Sequence, residues 1–216
     1  MYRRLTKIFA FLFCFILITA SCLAAPGPLI GKIIVLDPGH GGIRDDGAVH
    51  NGVREADVNL SVGLKLRDRL VAAGAKVVMT RTADTCVAPV GSDVPIDLQA
   101  RVDVARTADA DVFISIHSNS HPKPETAGII TFYPPERPTD FAQAIQEGLV
   151  YETGAVDKKI RPANFYVLRN NEIPAVLVEM GFLTNKAEAL KLADCTYQDA
   201  IADGIYKGVV RYFLSR

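Results

Sequence analysis

The chain carries no surplus of either charge: Lys and Arg number 24, and Asp and Glu number 24. A nucleic-acid surface needs a basic patch or stripe, so the balance argues against nucleic acid as a partner. Nor is there an apolar run of the ~20 residues that a membrane-spanning helix requires. The one long run, Ile8 to Ile18, reaches about half that length. Internal repeats are absent, and no low-complexity tract exists beyond the first residues. Cysteine is scarce, and no C-x-x-C pair occurs, which argues against zinc held through sulfur. Histidine is equally scarce, at four residues.

The amino-terminal segment sets the compartment. Arg3, Arg4 and Lys7 precede the apolar run. Small residues follow from Thr19 to Ala25, and Pro26-Gly27 breaks the pattern. This is the layout of a signal peptide over residues 1–25, with a folded unit over 26–216, and it predicts export to the periplasm or cell envelope. Cys22 and Ala24 suit cleavage before Ala25. Ala20-Ser21-Cys22 also reads as a lipobox that would place a lipid anchor on Cys22, although Thr19 stands where such boxes usually carry Leu. Removing the segment takes away three basic residues and no acidic ones, leaving a mildly acidic chain. Cys86 and Cys195 then remain as an even pair in an oxidising compartment. A disulfide or two separate thiols both fit.

Hydrophobic patterning gives the elements. Ile33 to Leu36 is a short apolar run bounded by Gly31 and Pro38-Gly39, as expected of a buried strand. Residues 55–73 mix apolar and charged positions and stop at Gly74, a helix with a glycine stop. Lys76 to Met79 reads as the next strand, completing a parallel βαβ unit. Residues 81–96 read as a polar loop, and Ile96 to Ala108 as a helix. Further strands are expected at Val112–Ile116, Gly128–Tyr133 and Ala175–Val178, and helices at 139–152, 185–193 and 197–214. The alternation predicts an α/β fold: a three-layer single domain with a largely parallel central sheet flanked by helices. Sites in such sheets gather at the carboxyl ends of strands.

Four residues carry candidate chemistry. His40 follows Asp37-Pro38-Gly39 and precedes Gly41-Gly42, a turn small enough to project a side chain into a cleft. His117 ends the Val112–Ile116 strand. Two His and one Glu with an open fourth position make a catalytic zinc set. The third donor is open between Glu55, at the start of the first helix, and Asp57. A helix start also attracts carboxylates for electrostatic reasons alone. Glu179 directly follows an apolar strand. A carboxylate there must be paired, hydrated or metal-linked, and burial would raise its pKa and suit it to general base work. The alternative is a structural carboxylate bonded to backbone N–H groups. His50 and His121 lie in polar loops and read as solvated. Arg169 reads equally as a partner for substrate carboxylates or as a surface residue.

Several separated segments match one family in order. They are Val35 to Gly42, Arg54 to Leu60, Thr80 to Asp84, Leu98 to Arg101, Ala110 to Asn119 and Pro174 to Asn185. Through them the chain resembles the zinc-dependent N-acetylmuramoyl-L-alanine amidases of the amidase-3 type. The resemblance implies Zn2+ on His40, Glu55 and His117, selecting Glu55 over Asp57, with Glu179 as the catalytic glutamate. It implies peptidoglycan as substrate, cut at the amide between N-acetylmuramic acid and the L-alanine of the stem peptide. Some relatives carry a long inhibitory helix after the His-Ser-Asn segment, relieved by an activator protein. Here Ser118 to Ala127 leaves no room for one, so an open site is expected, and no activator is identified. Other zinc hydrolases acting on peptides or acetylated sugars, and a wall-binding protein without catalysis, are the competing readings.

Overall fold

The computed structural model describes residues 27–43 and 45–216. The segment read as a signal peptide, and Cys22 within it, lie outside the described residues. The elements follow the chain as β1 (Ile33–Pro38), β2 (Val49–His50), β3 (Val53–Arg54), α1 (Glu55–Ala72), β4 (Lys76–Met79), α2 (Val94–Ala108) and β5 (Val112–Asn119). They continue as β6 (Ile129–Tyr133), α3 (Asp140–Thr153), β7 (Asp157–Pro162), α4 (Tyr166–Arg169), β8 (Ala175–Phe182), α5 (Lys186–Ala193) and α6 (Cys195–Leu214). Six strands form one sheet in the order β4-β1-β5-β8-β6-β7. β4, β1, β5 and β8 run parallel, β6 is antiparallel to β8, and β7 is parallel to β6. The expected three-layer α/β architecture with a largely parallel sheet is therefore present.

The period of two along each strand divides the core. Ile34, Leu36, Ile114, Ile116, Val176 and Val178 face a thick layer of α1, α3, α5 and α6. Val35, Phe113, Ala175 and Leu177 face a thinner one, where Val102 and Ala105 of α2 and Val167 and Leu168 of α4 cover them. Continuing the alternation puts Asp37, Ser115, His117 and Glu179 on the thinly covered face. β5 and β8 run past the expected strand ends, so His117 and Glu179 lie inside strands rather than after them. They are paired in register, and the register shifts just beyond His117.

Four elements were not expected from the sequence. The β2–β3 hairpin turns at Asn51-Gly52, with φ of 52° and 77°. That pair supplies the two positive φ values a tight hairpin turn demands. β7 is charged along its length, Asp157-Lys158-Lys159-Ile160-Arg161-Pro162, as suits an edge strand that must not pair further. α4 is a single turn. Cys86 and Cys195 are unpaired, so the disulfide reading is not realised. Between β5 and β6, residues 120–128 hold turns and no helix. Among the described residues no helix is long and apolar enough to cross a membrane.

Asp37 ties the sheet to the turn that follows β1. Its buried carboxylate accepts from Thr80 Oγ1, Ser115 Oγ and Arg101 Nη1, each at 2.7 Å. Burial opposes its charge, but the Arg101 guanidinium and the two hydroxyls more than compensate and hold it below the usual carboxylate range. Arg101 also donates to the carbonyls of Pro38 and His40. Arg81 donates to those of Pro38, Gly39 and Ala56. Two guanidinium groups thus satisfy the carbonyls of Pro38, Gly39 and His40 where β1 gives way to the turn.

Arg101→Ala is expected to cost about 3–5 kcal/mol, because it strands a buried carboxylate. Since the Asp37 pKa is depressed in the native state, its stabilisation is present above the unfolded carboxylate value and is lost as pH falls through the folded value. Urea unfolding of the wild type and the variant should therefore differ most near neutrality and converge in acid. In the thick layer α3 and α6 cross at glycines: a Cβ on Gly148 would lie 2.3 Å from Gly204 O, a backbone atom that cannot step aside. Gly148→Ala gains about 1 kcal/mol of helix propensity, yet overpacking costs about 1–3 kcal/mol. A lower thermal midpoint is expected, measured by circular dichroism.

Candidate metal centre

His40 reaches the site from an unusual backbone. Its φ is 61°, a left-handed value that a non-glycine residue rarely adopts. The clamp on its carbonyl by Arg101 and a bond from Gly41 N to Asp45 O hold the turn. Gly39 before it is required by contact: a Cβ there would sit 2.2 Å from His117 Nε2. The His117 ring lies directly over this glycine, and the two imidazoles meet edge-on with centroids 4.9 Å apart.

Glu55 joins them. Its Oε1 lies 3.2 Å from His40 Nε2 and 2.9 Å from His117 Nδ1. One ligand atom from each of the three residues falls within 4.8 Å of the others, a set able to hold a metal ion. The carboxylate is buried and backed by the backbone N–H groups of Ala48 and Ser118 and by Asn59 Nδ2. Burial opposes its charge, but the bonds to His117 and His40 prevail and hold it well below the usual carboxylate range. Asp57 takes no part: it is exposed and bonds Arg54. His50 and His121 are likewise exposed and do not belong to the set.

His40 Nδ1, on the other side of its ring, lies 2.6 Å from Asp45 Oδ1. Burial disfavours the imidazolium. The bonds and charges of Asp45 and Glu55 outweigh that and push His40 up to about 10. The same bond, chiefly, keeps Asp45 below the usual carboxylate range.

Glu179 stands beside this set without joining it. Its Oε2 is buried and has no hydrogen-bond partner. The structural-carboxylate alternative would need backbone donors there. Burial first, and then the negative charge of Glu55, push its pKa well above the carboxylate range. An orphaned buried oxygen next to two imidazoles and a carboxylate fits a site that receives a cation and a polar reactant. The donor set, two imidazole nitrogens and one carboxylate oxygen, suits zinc.

A cleft of about 480 Å³ opens over these groups. Its far wall is apolar, built by Val94 and Leu98 of α2, Phe165 and Tyr166 at α4, and Leu177 of β8. A bond of 2.7 Å from Tyr166 Oη to Gln99 Oε1 joins α4 to α2. Arg169 is not among the residues lining the cleft; it donates to Asn164 O, with its guanidinium over the Tyr166 ring. Asp45, Asn59, Arg81 and Arg101 do not stand out as site residues from the sequence alone. Asp45-Asp46-Gly47 has the composition of an ordinary turn. The partners of the two arginines come from strands and loops far along the chain.

Comparison with known proteins identifies the family and the fold. A family profile described as N-acetylmuramoyl-L-alanine amidase matches residues 34–211. The germination-specific N-acetylmuramoyl-L-alanine amidase of Bacillus subtilis is 40% identical over 197 residues, covering 88% of this chain and 83% of its own. The N-acetylmuramoyl-L-alanine amidase AmiA of Escherichia coli is 31% identical, covering 84% of this chain and 76% of its own. Among solved structures, the CwlD amidase of Clostridioides difficile, determined in complex with the GerS lipoprotein, superposes with a TM-score of 0.81 at 34% identity. That superposition spans 86% of this chain and all of CwlD. A family profile that covers both histidines, Glu55 and Glu179, on a sheet that superposes on a solved amidase, makes this chain a member of the N-acetylmuramoyl-L-alanine amidase family.

Proposed function

We propose that the protein is an exported, zinc-dependent hydrolase of peptidoglycan that cleaves the amide between N-acetylmuramic acid and the L-alanine of the stem peptide. The observation that carries the reading is the convergence of His40, Glu55 and His117 beside the buried, partnerless oxygen of Glu179. Family membership supplies the substrate class. Residues 1–25 would direct export, and Cys22 within them is the candidate lipid attachment point.

His40 and His117 would hold the zinc through nitrogen and Glu55 through oxygen, leaving a fourth position open. Bound zinc supplies Lewis acidity, which lowers the pKa of water and polarises a carbonyl. The chain's own residues do the rest. Glu179, whose pKa burial raises, stands beside the metal set where it would take a proton from the attacking water. Oxygen then bonds to the lactyl carbonyl carbon, and Glu179 returns the proton to the stem-peptide nitrogen as the carbon–nitrogen bond breaks. The products are a lactyl carboxylate and a free amine on L-alanine. Glu55 stays ionised throughout, because Ala48 and Ser118 donate to it and both imidazoles flank it. The apolar wall of the cleft keeps bulk water from the scissile amide.

Purified protein lacking residues 1–25, mixed with peptidoglycan, should release stem peptides that begin at L-alanine. Mass spectrometry should find them lost with a zinc chelator. Glu179→Gln should lower kcat by about 10²–10⁴-fold at unchanged zinc content. Shortened stems or deacetylated sugars would instead assign the site to another hydrolase class. No product under any condition would favour the wall-binding reading. A second expectation concerns protons. In the metal-free protein His40 keeps its proton up to about pH 10, so zinc must displace it. Calorimetry in buffers of different ionisation enthalpy should record release of about one proton at neutral pH, with affinity falling about tenfold per pH unit on acidification.

A further inference from the structure

We propose that Asp45 is a positioning residue that fixes which nitrogen of His40 faces the metal, and thereby sets how tightly the three-donor site holds its ion. The inference rests on the zinc reading above. An imidazole offers two nitrogens, and a neutral ring keeps a hydrogen on one of them. Which one is decided by the bond that the other side of the ring makes. Here Nδ1 faces Asp45 Oδ1 at 2.6 Å, while Nε2 faces Glu55 and the other ligand atoms. An ionised carboxylate can only accept, so the hydrogen belongs on Nδ1 and the lone pair on Nε2 points inward.

Asp45 is itself held in place. Its Oδ1 also accepts from Gly47 N at 3.3 Å, and its backbone carbonyl accepts from Gly41 N at 2.8 Å. The two bonds between residues 40–41 and Asp45 brace His40 from both its side chain and its backbone. That bracing is what a left-handed histidine needs in order to persist. The same short segment orients a second donor: Ala48 N bonds Glu55 Oε2 at 2.8 Å. Gly47 sits between them because any Cβ would lie 2.6 Å from Glu55 Oε2 and 2.8 Å from His40 Cδ2. The segment is thus shaped to both ligands at once. Asp45 is half exposed, so its charge is screened by water, and its directional bond is the larger part of its effect. Asp46, its neighbour, turns outward to Arg54 and provides an internal control.

The test compares purified wild type with Asp45→Ala, Asp45→Asn and Asp46→Ala. Zinc affinity is read by competition with a chelating dye, and the His40 ring by nitrogen-15 NMR of the zinc-loaded protein. Asp45→Ala should weaken zinc binding about 10–100-fold and remove the protected Nδ1–H signal. Asp45→Asn should restore most of both, since its amide oxygen accepts the same hydrogen. Asp46→Ala should match the wild type. Wild-type affinity in Asp45→Ala would overturn the assignment. So would an equal loss in Asp46→Ala, or a loss explained by unfolding of metal-free Asp45→Ala. A wild type that binds no zinc would instead bring down the metal reading on which the assignment stands.

Discussion

A buried carboxylate cannot stay ionised without partners, and Asp37 draws its partners from three different parts of the chain. Thr80 lies beyond β4, Ser115 is in β5 and Arg101 is in α2. Satisfying one side chain therefore registers two neighbouring strands and the helix above them. It also brings Arg101 close enough to hold the carbonyls of Pro38 and His40. The turn that presents His40 is a consequence of that requirement. With Arg81 gripping the same turn from the other direction, its backbone has little freedom left. The position of the first imidazole follows from the core rather than from local preference.

From there the site is assembled by close approach. Gly39 lets His117 lie on the turn, and the in-register pairing of His117 with Glu179 brings the proposed base to the neighbouring strand. Glu55 comes from the first residue of α1, and its ionisation is secured by two backbone N–H groups in addition to both imidazoles. The two carboxylates end with opposite tendencies. Glu55 is held in the charged form, and Glu179 is pushed toward the neutral one by burial and by Glu55 itself. In the proposed mechanism that separation divides their labour, Glu55 staying charged as a metal donor and Glu179 exchanging the proton.

Most of this fold is legible in the sequence because its strands are buried on both faces. Continuous apolar runs such as Val112–Ile116 and Ala175–Val178 leave little ambiguity. β7 is illegible for the opposite reason: an edge strand rich in charge looks like a loop. The Asn51-Gly52 turn is readable from its dipeptide, but its flanking strands are two residues each, too short for any periodicity. Among the site residues, His40, His117, Glu55 and Glu179 stand out by type and by position against strands or a helix start. What they lean on does not stand out. Asp45 looks like any turn aspartate, and Arg101 like any exposed residue on a helix. Their roles come from partners that only the folded chain supplies.

The unequal covering of the sheet has a further consequence. On one face four helices of eight to twenty residues seal the core. On the other, α4 is one turn of four residues, too short to persist on its own and secured to α2 through Tyr166 and Gln99. A cover of one helical turn opens at lower cost than a sheet sealed by long helices, so amide protection should be lower over Tyr166–Arg169 than over β5 or β8. A bulky polymer could then be admitted by loosening one turn of helix rather than by straining the strands that carry His117 and Glu179.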